Sequence, residues 1–181
     1  MKMTCSGRKS IRLKNYDYSS NGSYFITILT KQRAPILGKY FEECFIESEV
    51  GRIVNECWIQ IPNHFESIMI DTYIIMPNHI HGILSINKES NNSGHIYNTY
   101  SKPIPRSVCT VVQAFKASVT REAKKKRLAN LVWHKNYYEH VIRDENELTK
   151  CREYITNNPL KWHLDRNNKK STNFVKNGSI Y

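Results

Sequence analysis

The sequence predicts an α+β fold in which a four-stranded antiparallel sheet carries two helices on one face. Strand-like and helix-like segments follow one another in the order βαββαβ, the pattern of a ferredoxin-like domain. Little more than a Pro-Asn dipeptide separates the middle two strands, so we expect them to be antiparallel neighbours. A length of 181 residues, 40% of them hydrophobic, is enough for one such domain with a buried core. One further C-terminal helix remains to lie near the open face.

The first half of the pattern begins with a strand. Residues 24–29 are mainly β-branched and aromatic, which is typical of strands. Residues 36–47 are predicted to form a short hairpin around Gly38-Lys39. Apolar residues then recur at helical spacing from Ser48 to Ile61, and Pro62 is expected to end this first helix.

Two strands and a loop follow. Residues 68–76 form a strongly apolar run that is broken by Pro77-Asn78, and a second run covers residues 79–86. Residues 87–106 are rich in Asn, Ser and Lys and contain two prolines, so they are predicted to form a loop.

The last three elements are a helix, a strand and a helix. Apolar residues at helical spacing over 108–119 predict the second helix, which runs into the basic residues 124–127. Residues 133–142 are predicted to form the fourth strand. Asp144 is placed to cap a last helix that ends at Pro159, and we expect this helix to lie near the open face of the sheet.

Domain limits and partner class follow from composition. Residues 1–22 are predicted to form a basic arm, residues 23–165 a single domain and residues 166–181 a polar basic tail. Lys and Arg outnumber Asp and Glu by 27 to 16, a formal net charge of +11, which favours nucleic acid first and an anionic membrane surface second. No apolar run approaches about 18 residues and no secretory signal is recognisable, which argues against a membrane protein.

The cysteines indicate the compartment. The chain has five of them, an odd number, and no two form a CxxC pair. This pattern argues against a disulfide framework and against a cysteine zinc site, and it favours a reducing cytoplasm.

The sharpest chemical feature is the segment that contains His79 and His81. Residues two apart on a strand point to the same face, so the two imidazoles project side by side. Ile80 and Leu84 have the opposite parity and suit the face that the helices cover. The histidines therefore belong to the open face, where two imidazoles directed at one point are typical of metal ligands. The alternative is a pair of surface histidines that bind nothing.

A second feature lies on the last predicted helix. Tyr154 and Asn158 are four residues apart, so they share one helix face. An amide oxygen from Asn158 would complete a His-His-Asn site for a hard divalent cation, with Tyr154 beside it. The alternative for Tyr154 is simple packing at the border of the core.

These motifs together resemble a known family. The matching segments are Met76-Pro77-Asn78-His79-Ile80-His81, the run WHKNYYEHVIR at 133–143, YITNNP at 154–159, and RKSIRL at 8–13 followed by Tyr16-Asp17-Tyr18. In this order they resemble the IS200-like transposases, which are single-tyrosine HUH endonucleases, and most closely the REP-associated tyrosine transposases. The resemblance covers about residues 8–165.

The resemblance implies a function and a site. It implies a single-stranded DNA endonuclease and strand transferase that acts on hairpin-forming repeats through a 5′-phosphotyrosine intermediate. Residues 23–165 would be the catalytic domain, with Tyr154 as nucleophile and with His79, His81 and Asn158 holding Mg²⁺ or Mn²⁺. Asn158 stands where insertion-sequence relatives often carry glutamine. The implied partner is single-stranded DNA with hairpins, with no small-molecule organic cofactor, and the protein would be a monomer or a homodimer.

Other residues are candidates for DNA contact. The N-terminal arm mixes cations with aromatic rings, which suits phosphate contacts and base stacking, although a solvated arm is an equal alternative: Arg8, Lys9, Arg12, Lys14 and Tyr16. His140 is interpreted either as a metal-site or DNA-facing residue or as a packed histidine on the fourth strand. The basic run 124–127 is interpreted mainly as a solvated helix end, and Lys116 as a solvent-side charge.

Two other function classes compete with the enzyme. The first is a catalytically idle protein of the same fold that only binds hairpin DNA; the presence of all four site residues argues against it. The second is an RNA-binding sheet, which is disfavoured because no central strand carries the aromatic run that such sheets use to stack bases.

Overall fold

The computed structural model describes residues 16–41, 44–87 and 107–164. Most of the predicted N-terminal arm, the predicted loop after residue 87 and the C-terminal tail lie outside the described residues. The elements in chain order are β1 (Gly22–Leu29), β2 (Gly38–Phe41), β3 (Cys44–Glu47), α1 (Glu49–Ile59), α2 (Ile61–His64), β4 (Ile68–Met76), β5 (His79–Ile86), α3 (Val108–Lys125), β6 (Tyr138–Ile142) and α4 (Glu145–Asn157). Short 3₁₀ helices occupy Lys31–Arg33 and Pro159–Leu164.

The main sheet has the predicted ferredoxin-like topology. Its strand order is β4-β5-β1-β6, and every neighbouring pair is antiparallel. The strands β4 and β6 are therefore the two edges of the sheet. The helices α1 and α3 pack together on one face, and β2 and β3 form a separate two-stranded sheet. The α+β prediction is confirmed.

The alternation along β5 also agrees with the prediction. Ile80, Leu84 and Ile86 are buried in the main core, which α1 and α3 cover. Ile83, on the other face, belongs to a small second core with Ile142 of β6 and Ile155 of α4. The C-terminal helix thus lies over the face that the βαββαβ unit leaves open, and it buries its own apolar stripe there.

A glycine on β5 makes room for the largest buried side chain of α1. Gly82 points toward the helix-covered face, and a Cβ atom at this position would enter the indole ring of Trp58, which is fully buried. Only a residue without a side chain allows the helix and the sheet to approach so closely.

We expect Gly82→Ala to lower the free energy of unfolding by about 1–3 kcal/mol, because an added methyl group would overpack this contact. Urea titration measures the effect. In a Trp58→Phe background the same substitution should cost at least about 0.5 kcal/mol less, because the smaller ring leaves space. Equal costs in the two backgrounds would show that this contact is not the reason for the glycine.

Three predicted boundaries were wrong. The hairpin does not turn at Gly38-Lys39: Gly38 is the first residue of β2 and pairs with Glu47, and the connection follows Phe41. Gly38 is instead required for packing, because a side chain there would meet the ring of Phe45. Pro62 does not stop α1, which ends at Ile59. It lies in the first turn of α2, where the missing N–H of proline costs nothing.

The fourth strand is shorter than predicted, because β6 begins only at Tyr138. Trp133 makes only an isolated β-bridge with Thr30, and its side chain is buried in the main core. The apolar residue at position 133 is therefore explained by core packing and not by membership of a strand. The cap of α4 is confirmed, since the Asp144 carboxylate accepts a hydrogen bond of 2.8 Å from the backbone N–H of Glu147. Within the described residues, no helix is both long and apolar enough to cross a bilayer.

Candidate active site

The two histidines of β5 form a close, buried pair on the open face. The Nε2 atoms of His79 and His81 are 3.0 Å apart. His79 is fully buried and His81 is only 3% exposed, so the two residues are not surface histidines. Buried polar atoms need hydrogen-bond partners, so the second nitrogen of each ring, Nδ1, must have one as well. In both histidines it does.

An asparagine fixes the tautomer of His79. The Asn78 amide nitrogen donates to the carbonyl oxygen of Arg33 at 3.2 Å, so the amide oxygen must face the ring. That oxygen is 2.8 Å from His79 Nδ1, which therefore carries the proton and leaves a lone pair on Nε2. Burial, together with the positive charge of Arg33, lowers the pKa of His79 to about 3, which keeps the ring neutral.

A threonine is the partner of His81. Thr27 faces His81 across the β1–β5 pair, and its hydroxyl oxygen is 2.8 Å from Nδ1. A hydroxyl can donate or accept, so it accommodates either tautomer of the ring. When Thr27 donates, His81 Nε2–H can bond to His79. When Thr27 accepts, the lone pairs of both Nε2 atoms face one point, which is the arrangement of two metal ligands.

The α4 helix brings a tyrosine to this pair. Ile155 of α4 is buried against Ile83 and Ile142, and this contact fixes the rotation of the helix. The ring of Tyr154 consequently lies edge-on to His81, with the centroids 5.2 Å apart, and also contacts Phe25 at 5.8 Å. Tyr154 is 49% exposed, so an incoming molecule can reach it.

The same helix places an amide next to its C-terminal end. Asn158 is only 5% exposed. Its side-chain oxygen is buried and has no hydrogen-bond partner among the described residues. A buried carbonyl-type oxygen without a partner costs free energy, so the site is built for a donor or a cation that supplies one. In the described part of the chain, no three His, Cys, Asp or Glu side chains form a metal-binding cluster, so a third protein ligand for the histidine pair would have to be of another type, such as this amide.

The two Nε2 atoms have a separation that fits two neighbouring ligands of a six-coordinate divalent cation. Two ligand atoms at about 2.1 Å from one ion and at a right angle to each other are about 3.0 Å apart. The observed separation of the Nε2 atoms, 3.0 Å, has this value. Imidazole nitrogens suit first-row transition-metal ions and an amide oxygen suits harder ions such as Mg²⁺ and Mn²⁺, so this donor set is compatible with a divalent cation.

An ion pair and a histidine–carboxylate hydrogen bond hold α4 at the two edges of the sheet. At β4, Arg152 donates two hydrogen bonds to Asp71, from Nε at 2.9 Å and from the terminal nitrogen at 2.6 Å. The Arg152 guanidinium holds the pKa of Asp71 below its usual value. At β6, Nε2 of His140 is 2.6 Å from a carboxylate oxygen of Glu147. We call these two pairs the α4 clasp.

The predicted site residues are thus only partly brought together. His79, His81 and Tyr154 lie together on the open face, and Asn158 follows one turn after Tyr154 at the C-terminal end of α4. His140 shares that face but contacts Glu147, and its assignment to DNA stays a prediction. Tyr16 lies on the other side of the sheet, where its ring contacts Tyr18 and Tyr24. The arm cations lie outside the described residues: Arg8, Lys9, Arg12 and Lys14.

Sequence reasoning missed several residues around the site. Asn78 was part of a recognised motif, but no role was assigned to it, and Thr27 becomes visible only through the register of β1 against β5. Asp71 did carry a signal, since it is an acidic residue inside an apolar strand. Trp162 follows the Asn-Pro segment, and its ring lies 6.0 Å from His79 and 6.3 Å from Tyr40.

Known proteins resemble this chain in sequence and in fold. No family model matches it. A Haemophilus influenzae protein described as "Uncharacterized protein" is 38% identical over 165 residues, which is 88% of this chain and 92% of the relative. A second protein of that organism, described as a candidate REP-associated tyrosine transposase, is 24% identical over 160 residues, covering 82% of this chain and 77% of the relative. The solved structure of a REP-associated tyrosine transposase bound to a REP hairpin shares the fold, with a TM-score of 0.57, 17% identity, and coverage of 83% of this chain and 74% of that one.

Proposed function

The chain belongs to the family of IS200-like and REP-associated tyrosine transposases, and on this basis we propose that it is a metal-dependent endonuclease and strand transferase for single-stranded DNA with hairpins. One observation carries the proposal. The exposed ring of Tyr154 lies 5.2 Å from His81, whose Nε2 atom forms a buried pair with that of His79 at 3.0 Å. A nucleophile candidate and a cation site therefore meet within a single chain.

We assign the cation site to His79, His81 and Asn158. Mg²⁺ or Mn²⁺ bound there would supply positive charge that stabilises the developing charge on a phosphodiester. The protein prepares this site in advance. Asn78 holds His79 as the tautomer with a lone pair on Nε2, and the Thr27 hydroxyl can accept a hydrogen bond from the Nδ1–H of His81, which leaves a lone pair on its Nε2. The buried amide oxygen of Asn158 gains the partner that it otherwise lacks.

Tyr154 would be the nucleophile. Its phenol oxygen forms a bond to phosphorus as the bond from phosphorus to the 3′ oxygen breaks. The phenol proton passes to solvent, which reaches the exposed Tyr154, and the released 3′ oxygen takes up a proton from solvent. The product is a 5′-phosphotyrosine and a free 3′-OH. The phosphodiester energy is conserved in the tyrosine ester, so attack by another 3′-OH reverses the step and joins DNA without ATP.

The position of α4 favours a single strand as substrate. The helix lies across the open face and is held at both edges of the sheet, so a scissile phosphate must enter beside Tyr154 at the end of β5. A single strand can be threaded to that point, whereas a duplex would also have to accommodate its second strand. The net charge of +11 supplies the general attraction for DNA.

The test is a cleavage assay with hairpin DNA that carries a label either 5′ or 3′ of the cut. With Mg²⁺ or Mn²⁺, we expect label on the protein only when it lies 3′ of the cut, because the tyrosine takes the 5′ phosphate. A fully paired duplex of the same sequence is the control and should stay intact. Binding without cleavage in any metal would instead support the idle hairpin-binding alternative. A protein adduct that carries the 5′-side fragment would contradict the assigned chemistry.

The α4 clasp leads to a further prediction. We expect Asp71→Asn to lower the single-turnover cleavage rate about 10- to 100-fold, because a displacement of a reacting group by about 1 Å can cost that much. The apparent Kd for the hairpin should change little, because the Asp71 carboxylate is paired with Arg152 and a carboxylate does not attract phosphate groups. The double exchange Asp71→Arg with Arg152→Asp should recover part of the rate, because it restores an ion pair of the opposite sense.

The matched control is Glu145→Gln. Glu145 also pairs with Arg152, but at 3.4 Å and with its own side chain 79% exposed. Exposed pairs of this kind contribute little, so the rate should stay within about 2-fold of wild type. If Asp71→Asn behaves like this control, the clasp does not position Tyr154.

A further inference from the structure

A basic groove lies on the side of the sheet that α3 covers, away from the histidine pair. It has a volume of about 820 Å³ and runs between α3 and the segment 131–135. Among the described residues, no acidic side chain lines it and five cationic ones do: Lys116, Arg121, Lys124, Lys125 and Lys135. We call it the α3 groove. Such a surface fits a polyanion.

The cations of the groove do not all have the same function. Lys116 is half-buried, and its ammonium group donates to the backbone oxygens of His134 at 2.7 Å and Lys135 at 3.1 Å. It therefore fixes the far wall against α3. Arg121 and Lys125 are partly neutralised by Glu122. Lys124 and Lys135, on opposite walls, have no ion pair within the described residues.

The side chains that line the α3 groove favour paired over unpaired nucleic acid. Single strands are typically bound by exposed aromatic rings on which bases stack. Two rings line the groove within the described residues. Trp133 is only 4% exposed, because its ring packs against Phe115. The exposed imidazole of His134 accepts a hydrogen bond of 3.3 Å from the backbone N–H of Asn136. The described walls thus offer positive charge and, apart from the small ring of His134, no exposed aromatic surface, which suits the phosphate backbone of a duplex better than stacked bases.

The groove is close enough to the site to share one substrate with it. The backbone N–H of His134 donates to the carbonyl oxygen of Leu29 at 2.9 Å, and Leu29 is the register partner of His79. Because neighbouring strands are about 4.8 Å apart, the groove wall at His134 lies roughly 10 Å from His79 across the sheet. A hairpin could therefore contact both surfaces around the same end of the sheet.

We propose that the α3 groove binds the backbone of the paired stem of the hairpin, with Lys124 and Lys135 contacting phosphates, while the unpaired extension occupies the open face at Tyr154. This inference rests on the proposed function and adds a second DNA-binding surface to it. It also revises two sequence interpretations: Lys116 is a wall-forming residue and not a solvent-side charge, and Lys124 is more than a solvated helix end.

The test measures Kd by fluorescence anisotropy in EDTA for two DNAs: a hairpin with a single-stranded 5′ extension, and the extension alone. The groove variant is Lys124→Gln with Lys135→Gln. The control, Lys126→Gln with Arg52→Gln, removes the same charge from exposed positions outside the groove. The groove variant should weaken hairpin binding about 10-fold and lower the log–log salt slope by about 0.9 per lost phosphate contact. The control should leave both the Kd for the hairpin and the salt slope nearly unchanged.

Binding of the extension alone should be nearly equal for wild type, groove variant and control. If the two double variants weaken hairpin binding equally, the effect is one of net charge and the groove assignment is overturned. It is also overturned if the groove variant loses affinity for the extension alone to the same degree. Wild-type protein that binds no hairpin would instead overturn the proposed function itself, so the two failures are distinguishable.

Discussion

Tyr154→Phe will remove cleavage and covalent capture of DNA while leaving hairpin binding in place. The substitution deletes one hydroxyl from a ring that is 49% exposed, so the packing of α4 through Ile155 is untouched. Without the phenol oxygen, no ester to the 5′ phosphate can form. Removing the nucleophile of an enzyme that works by covalent catalysis costs about 10⁴-fold or more in rate, so cleavage should fall below detection in a gel assay.

Tyr138→Phe is the matched control for this experiment. Tyr138 is 48% exposed, lies on the same face of the sheet, and is paired with Thr27, the partner of His81. It differs from Tyr154 in lying on a strand, with no amide one helical turn away. We expect Tyr138→Phe to retain measurable cleavage. A covalent adduct that survives in Tyr154→Phe and disappears in Tyr138→Phe would move the nucleophile to β6.

The sheet and its faces could be predicted from the sequence because they depend on local patterns. The parity of β5 alone separated Ile80 and Leu84 from His79 and His81, and the structure confirms this separation. The wrong boundaries have a common cause. Gly38, Pro62 and Trp133 were interpreted through local conformational preference, whereas the structure uses them for packing or for a helix start.

The proximity of Tyr154 to the histidine pair was predicted from local patterns as well, but the contacts that support it were not. Tyr154 and Asn158 are one turn apart on a helix, which a sequence shows directly. The partners of the site residues come from distant segments: Thr27 contacts His81 across 54 residues, and Asp71 contacts Arg152 across 81. No periodicity encodes such pairs, because they depend on strand register and on where α4 crosses the sheet.

The second large effect is expected at the histidine pair. His79→Ala or His81→Ala should each abolish cleavage with Mg²⁺ or Mn²⁺ while hairpin binding persists. A bound metal contributes several kcal/mol to transition-state stabilisation, and each 1.36 kcal/mol is a factor of ten, so the loss should be about 10³-fold or more. Each variant should also lose the 1:1 Mn²⁺ binding that isothermal titration is expected to show for wild type.

A structural control is needed, because His79 is fully buried and its removal leaves a cavity. Thr27→Val provides it. This change retains both histidines and the shape of the neighbouring residue, but removes the hydroxyl that faces His81 Nδ1 at 2.8 Å. Loss of a hydrogen-bond partner of a metal-binding histidine typically lowers the metal affinity about 10- to 100-fold. The Mn²⁺ affinity should therefore fall by about that factor without being lost.

The pattern across the three variants decides the assignment. If the histidines hold the ion, the Mn²⁺ affinity falls in the order wild type, Thr27→Val, then either alanine variant, and the cleavage rate at fixed metal follows the same order. Raising the Mn²⁺ concentration should restore cleavage in Thr27→Val but not in His79→Ala or His81→Ala, because only the first keeps both Nε2 ligands. Full cleavage by the double alanine variant, or recovery of all three variants at high Mn²⁺, would show that the metal is held elsewhere.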